Sequence, residues 1–112
     1  MTASFVQDGN AIDYTPSTDV AAGEVVVQGD LVGVAKLDIK ADALGSLAVT
    51  GMFDFPKATG ASSGIAVGST VYWDVADGQA KTDDESGANK LLGKTVQAAA
   101  DADTTVRVRL AQ

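Results

Sequence analysis

Gly93-Lys94-Thr95 has the form of the end of a phosphate-binding loop. Such a loop needs a further glycine five residues before its second glycine, and it must open a helix whose N-terminal amides hold phosphate. Ala88 stands at that position, Gly87 falls one residue early, and Val96, Gln97 and the following alanines continue a strand-like run. No nucleotide site is expected here. The carboxylates are the next candidates, since Asp and Glu number 15. Asp83-Asp84-Glu85 and Asp101-Ala102-Asp103 are the densest groups. Neither has the alternating oxygen ligands, mid-loop glycine and distal glutamate of an EF-hand. We read both as solvated loop tips and expect no metal site.

Glycoside hydrolysis needs two facing carboxylates. Asp54, between Phe53 and Phe55, and Asp74, after Tyr72 and Trp73, are the residues from which such a pair could be built. Alternation places both on solvent-facing sides of strands. The chain has no histidine and no cysteine, which removes the commonest general base and metal ligand, thiolate nucleophiles and disulfides. No Gly-x-Ser-x-Gly elbow is present. We therefore expect no enzyme, no catalytic residue and no cofactor. Trp73 alternates with Val71 and Val75 and is read as core; Tyr72 lies on the opposite face and is a contact candidate, because tyrosine is enriched at interfaces. Arg107 and Arg109 project together from one strand face, and their planar forks suit an acidic partner.

The net charge of −7 opposes nucleic-acid binding, which needs clustered Lys or Arg. No run reaches the roughly 18 apolar residues of a membrane-spanning helix, and Met1–Asn10 lacks the basic and apolar regions of a signal peptide. A soluble protein made in the cytosol is expected. At 112 residues the chain is read as one domain, 1–112. Aromatics are only 5%, so the core must be mainly Val, Leu, Ile and Ala.

The elements that would position these residues are short strands. Gly23–Ala35 holds two Val-rich runs around Gln28-Gly29-Asp30, which predicts a hairpin. Apolar side chains fall on both of its faces, so it is either buried on both sides or pressed against a partner. Further strands are expected at Ser4–Gln7, Ala11–Tyr14, Ala35–Lys40, Gly45–Gly51 continuing through Phe53 and Phe55, Thr70–Val75, Gln79–Thr82 after an Asp77-Gly78 turn, Leu91–Ala98 and Thr105–Leu110. In the last, Val106, Val108 and Leu110 alternate with Arg107 and Arg109. No window supports a long helix. The reading is all-β, a small antiparallel β-sandwich or barrel with at most short helical turns.

Several segments, in order, resemble small phage capsid cement, or decoration, proteins of a family once known only as a domain of unknown function. They are Val26–Ala35, Phe53–Thr59 (Phe-Asp-Phe-Pro-Lys-Ala-Thr), Gly68–Asp74 (Gly-Ser-Thr-Val-Tyr-Trp-Asp), Leu92-Gly93 and Ala98–Leu110. The likeness runs from about Phe5 to Leu110. It implies a non-enzymatic protein on the outer surface of a phage head, made in the host cytoplasm and placed in the virion. There it would bind the major capsid protein and stabilise capsomer junctions, often as a homotrimer. It carries no active-site residue over. Met1–Gln7 is expected to form an N-terminal arm that could extend a neighbour's sheet, and the candidate interface residues are Phe5, Tyr72, Arg107 and Arg109. The alternatives are a small carbohydrate- or ligand-binding β-domain using Tyr72 and Trp73, and an acidic hydrolase using Asp54 and Asp74.

Overall fold

Nine strands form in the computed structural model, which covers Met1–Gln112: β1 (Ala11–Tyr14), β2 (Val25–Gln28), β3 (Leu31–Ala35), β4 (Gly45–Ala48), β5 (Gly51–Pro56), β6 (Thr70–Asp74), β7 (Gln79–Lys81), β8 (Lys90–Thr95) and β9 (Thr105–Leu110). The only helical piece is a 3-10 turn at Glu85–Gly87. The strands form two wholly antiparallel sheets, ordered β1-β4-β3-β2 and β5-β9-β8-β6-β7. Val32 and Val34 of the smaller sheet enter the core of the larger one, and the chain is all-β, as the sequence reading of a small antiparallel sandwich or barrel expects.

The β2–β3 hairpin closes through Gly29-Asp30, with Gln28 paired to Leu31. Gly29 takes a φ of +60° while Asp30 keeps a negative φ, the II′ pattern that matches strand twist. Its two apolar faces are both used within the chain. Val32 and Val34 enter the main core with Val25 and Val27 against them. Ala35 and Val26 turn the other way, into a smaller cluster with Val20, Ile39 and Leu47. The smaller sheet is thus apolar on both sides for an internal reason. Burial of each aliphatic side chain contributes about 1.5–3 kcal/mol, so a hairpin feeding two clusters is a strong organiser.

The main core joins β3 to the inner face of the larger sheet: Phe55, Val71, Trp73, Ala80, Leu92, Val106, Val108 and Leu110. Phe55 lies between two aromatics, with ring centroids 6.2 Å from Phe53 and 5.9 Å from Trp73. The β9 pattern is as the sequence requires, buried at Val106, Val108 and Leu110 and exposed at Thr105, Arg107 and Arg109.

Four local expectations fail, each for an identifiable reason. Ser4–Gln7 is not a strand: Met1–Asn10 is exposed, and residues 1–9 make no backbone hydrogen bond to the body of the fold. Ala35–Lys40 is not a half-exposed strand. Ala35 ends β3, and beyond it only Ile39 pairs, in a single bridge to Val20, while Leu37 is exposed. Here side chains replace the ladder, because Asp38 Oδ1 accepts from the Ala22 amide and Asp19 Oδ1 from the Ala41 amide. The run from Gly45 into Phe55 is broken at Val49-Thr50, where the chain crosses from the smaller sheet to the larger. Finally, β6 ends at Asp74, and a four-residue loop, Val75–Gly78, precedes β7; Val75 is therefore exposed instead of joining Val71 and Trp73.

Candidate interaction surface

The outer face of the larger sheet gathers most of the candidate contact residues. Tyr72 pairs with Lys81 on one side and Leu91 on the other; Thr70 pairs with Lys94, Lys94 with Arg109, and Arg109 with Met52. A β-bulge makes this possible. Between Val71 and Tyr72 the partner strand advances from Gly93 to Leu91, so Leu92 is the extra residue. Leu92 drops into the core. Leu91 and Lys94, three apart in sequence, then both face outward beside Tyr72 and Thr70, which strict alternation forbids. Gly93 is required at the bulge: a Cβ there would lie 2.0 Å from the Arg109 carbonyl oxygen.

Apolar and cationic groups meet on this face. Met52 is 66% and Leu91 39% exposed, and Tyr72 is half-buried beside them. Thr70, Tyr72, Leu91, Lys94 and Arg109 line a groove of about 370 Å³. Of the eight Lys and Arg side chains four are engaged elsewhere, while Lys36 and Lys40 make no side-chain hydrogen bond or salt bridge. Arg107 grips Asp54 through Nε and Nη2, at 2.9 and 3.1 Å. Lys81 bonds Asp74 and Asp77, Lys90 bonds Asp30, and Lys57 donates to three carbonyls. Lys94 has only the Thr70 hydroxyl, at 2.8 Å, and Arg109 makes no side-chain hydrogen bond. Two adjacent cations thus stand without a carboxylate on an acidic protein.

The ion pairs shift their members in opposite directions. The Arg107 hydrogen bonds hold the Asp54 carboxyl below its ordinary range, and Asp54 in turn raises Arg107. Asp74 is lowered by the Lys81 ammonium first and then by the Asp77 amide, while Lys81 is raised by Asp74 and Asp77. Asp74 is only 4% exposed, against the expectation that it faces solvent, because the Val75–Gly78 loop and Lys81 fold over it. Lys81 rather than water thus satisfies the carboxylate.

The remaining sequence candidates fall apart spatially. Asp54 on β5 is held by Arg107, and Asp74 on β6 by Lys81 and the Asp77 amide. Each carboxylate is committed to its own partners, so the structure does not present them as a facing acid–base pair. Trp73 is buried against Phe55 and opens onto no pocket, which removes the ligand-binding arrangement with Tyr72. Gly93-Lys94-Thr95 lies within β8 and opens no helix. The acidic groups brace turns: Asp83, Asp84, Asp101 and Asp103 accept from the amides of Glu85, Ser86, Gly64 and Ala100. Phe5 is 84% exposed on the arm, outside both sheets, whereas Tyr72, Arg107 and Arg109 lie on strands of the larger one. The sequence reading missed Lys94, Leu91 and Met52. The available signal was Leu91-Leu92-Gly93, adjacent apolar residues followed by a glycine inside a strand, which marks a bulge.

No curated protein and no solved structure matches the chain. A family model described as phage cement protein matches residues 6–110, a span that holds every strand, both clusters and the whole outer face. This chain belongs to the phage cement protein family.

Proposed function

We propose that this chain is a non-enzymatic decoration protein that binds the major capsid protein on the outer surface of an assembled phage head and stabilises capsomer junctions, acting as a homotrimer made in the host cytoplasm. Family membership gives the structural capsid role. The observation that carries the finer reading is the outer face of the larger sheet, where Tyr72, Leu91 and Met52 lie beside the unpaired Lys94 and Arg109. A surface of amphipathic and apolar groups rimmed by free charge is the anatomy of a contact patch. Phe5, in an arm that bonds to nothing in its own chain, supports a second contact by strand addition. Arg107, held by Asp54, presents a fixed guanidinium edge on the same face as Arg109.

The decisive experiment mixes purified protein with mature, undecorated heads of its phage and follows co-sedimentation. Saturable binding at a fixed ratio of copies to capsomers is expected, with heads that withstand heating better than bare ones. Absence of binding to those heads overturns the reading. Tyr72→Ala should weaken binding by about tenfold or more, the scale of a central aromatic contact, while leaving the fold intact because Tyr72 lies outside the core clusters.

A further inference from the structure

We propose that copies of this chain join head to tail, with the acidic turn Asp83-Asp84-Glu85 of one copy seated in the Lys94–Arg109 groove of the next. This deepens the homotrimer named above and rests on it. Three observations point to a second copy as the occupant.

First, the groove asks for carboxylates. Lys94 and Arg109 are register partners on β8 and β9, and neither has an acidic partner in its own chain. Burying them in a dry apolar contact would be costly, so the occupant must bring anions. Second, the same molecule carries that complement. Asp83, Asp84 and Glu85 are exposed, and none is salt-bridged. The turn is rigid, since Asn89 Nδ2 donates to the Asp83 carbonyl at 2.7 Å and the Asp84 carboxylate accepts from Ser86. A preformed knob loses little entropy on docking. It cannot reach its own groove: Lys90 and Lys94 alone are about 12 Å apart along β8, and the turn lies beyond Lys90.

Third, the shapes favour turn into groove over face against face. The groove is continuous, through Tyr72 and Leu91, with a second hollow of about 360 Å³ whose wall includes Asp84. Two such concave faces laid together by a two-fold axis would leave voids and forfeit close packing. The turn and the groove are different patches of one molecule, so turn into groove is a heterologous contact, the type that closes into a ring where its rotation allows.

Analytical ultracentrifugation of charge-reversed chains tests this. Wild type should be trimeric. Lys94→Glu with Arg109→Glu should weaken association at least about 30-fold, and Glu85→Lys, which spares the Asp83 and Asp84 carboxylates that brace the turn, should weaken it as well. The chain carrying all three changes should be trimeric again. As the protein has no cysteine, Glu85→Cys with Lys94→Cys provides a second readout that does not depend on the reversed chains folding: oxidation should give cross-linked species ending at a closed trimer. A monomeric or dimeric wild type, trimers that survive either reversal, or an oxidised product with no inter-chain link would each overturn the proposal. Head binding is read separately. A wild-type trimer that ignores heads sinks the decoration role and leaves this contact standing; a monomer that still binds heads does the reverse.

Discussion

Lys57 shows how one side chain can hold two loops. It is 4% exposed, and its ammonium donates to the carbonyls of Ala58, Ala100 and Asp103 at 2.7, 3.1 and 2.9 Å. A buried cation without a carboxylate is stable only when its donors are all used, and here three carbonyl oxygens use them. Lys57→Met keeps the apolar stem but strands those carbonyls, and we expect a loss of about 2–4 kcal/mol in urea unfolding. Asp74 offers a second test. Its carboxyl lies below the ordinary range because Lys81 and the Asp77 amide favour the ionised form. A depressed folded-state value stabilises above the unfolded value of about 3.9 and fades as pH falls through the folded one. Wild type should therefore lose stability with acid below about pH 4. Asp74→Asn should start less stable at neutral pH and show a shallower acid limb in unfolding curves taken from pH 7 to pH 2. Neither role was visible in the sequence. Lys57 reads as one charge in a loop of small residues. Asp74 reads as an outward position on β6, and only the Val75–Gly78 loop turning back over it makes it buried.

Among the elements, β8 contributes most to the shape of the outer face of the larger sheet. Its bulge sends Leu92 inward and keeps Leu91 and Lys94 outward, and it depends on Gly93. A Cβ at residue 93 would meet the backbone of β9, which cannot yield without breaking its pairing to β5. Gly93→Ala should cost about 3 kcal/mol or more in chemical denaturation, well beyond the ordinary cost of alanine for glycine in a strand. By contrast the Asp54–Arg107 pair, about half-exposed on both sides, is screened by solvent and adds little to stability. The β5–β9 ladder is held by its six-residue register and by Phe53, Phe55, Val106 and Val108. This difference explains what was legible. β9 could be read directly, because one residue type per face leaves a single register that buries the apolar set; the β2–β3 hairpin, apolar on both faces, is legible from its β-branched runs and the glycine turn between them. Lys36–Lys40 shows the same alternation and is still not a strand. Leu37 and Ile39 imitate the pattern, while Asp19 and Asp38 satisfy backbone amides that a ladder would have paired. Bulges and side-chain caps break the period-two rule locally, and they are where the reading of strands failed.

At the scale of the molecule the chain divides into a part that folds and a part that the fold does not use. Every strand and both clusters lie between Ala11 and Leu110, and the side chain of Gln112 adds a paired bond to Val32, donating to its carbonyl and accepting from its amide. Met1–Gln7 contributes neither a core residue nor a backbone hydrogen bond, although Met1, Phe5 and Val6 are apolar. A segment whose removal exposes nothing and unpairs nothing should not change stability. Deleting residues 1–7 should therefore leave the thermal midpoint within about 2 °C of wild type, because a loss of even 1 kcal/mol would move it by several degrees in a domain of this size. If the arm adds a strand to a neighbour, the same deletion should weaken binding to undecorated heads by tenfold or more and lower the heat resistance of the decorated heads. The two measurements separate folding from assembly. A large drop in the midpoint would mean that Phe5 and Val6 pack on their own chain in solution. Unchanged head binding would confine the contact to the outer sheet face, where Tyr72, Lys94 and Arg109 would have to supply all of it.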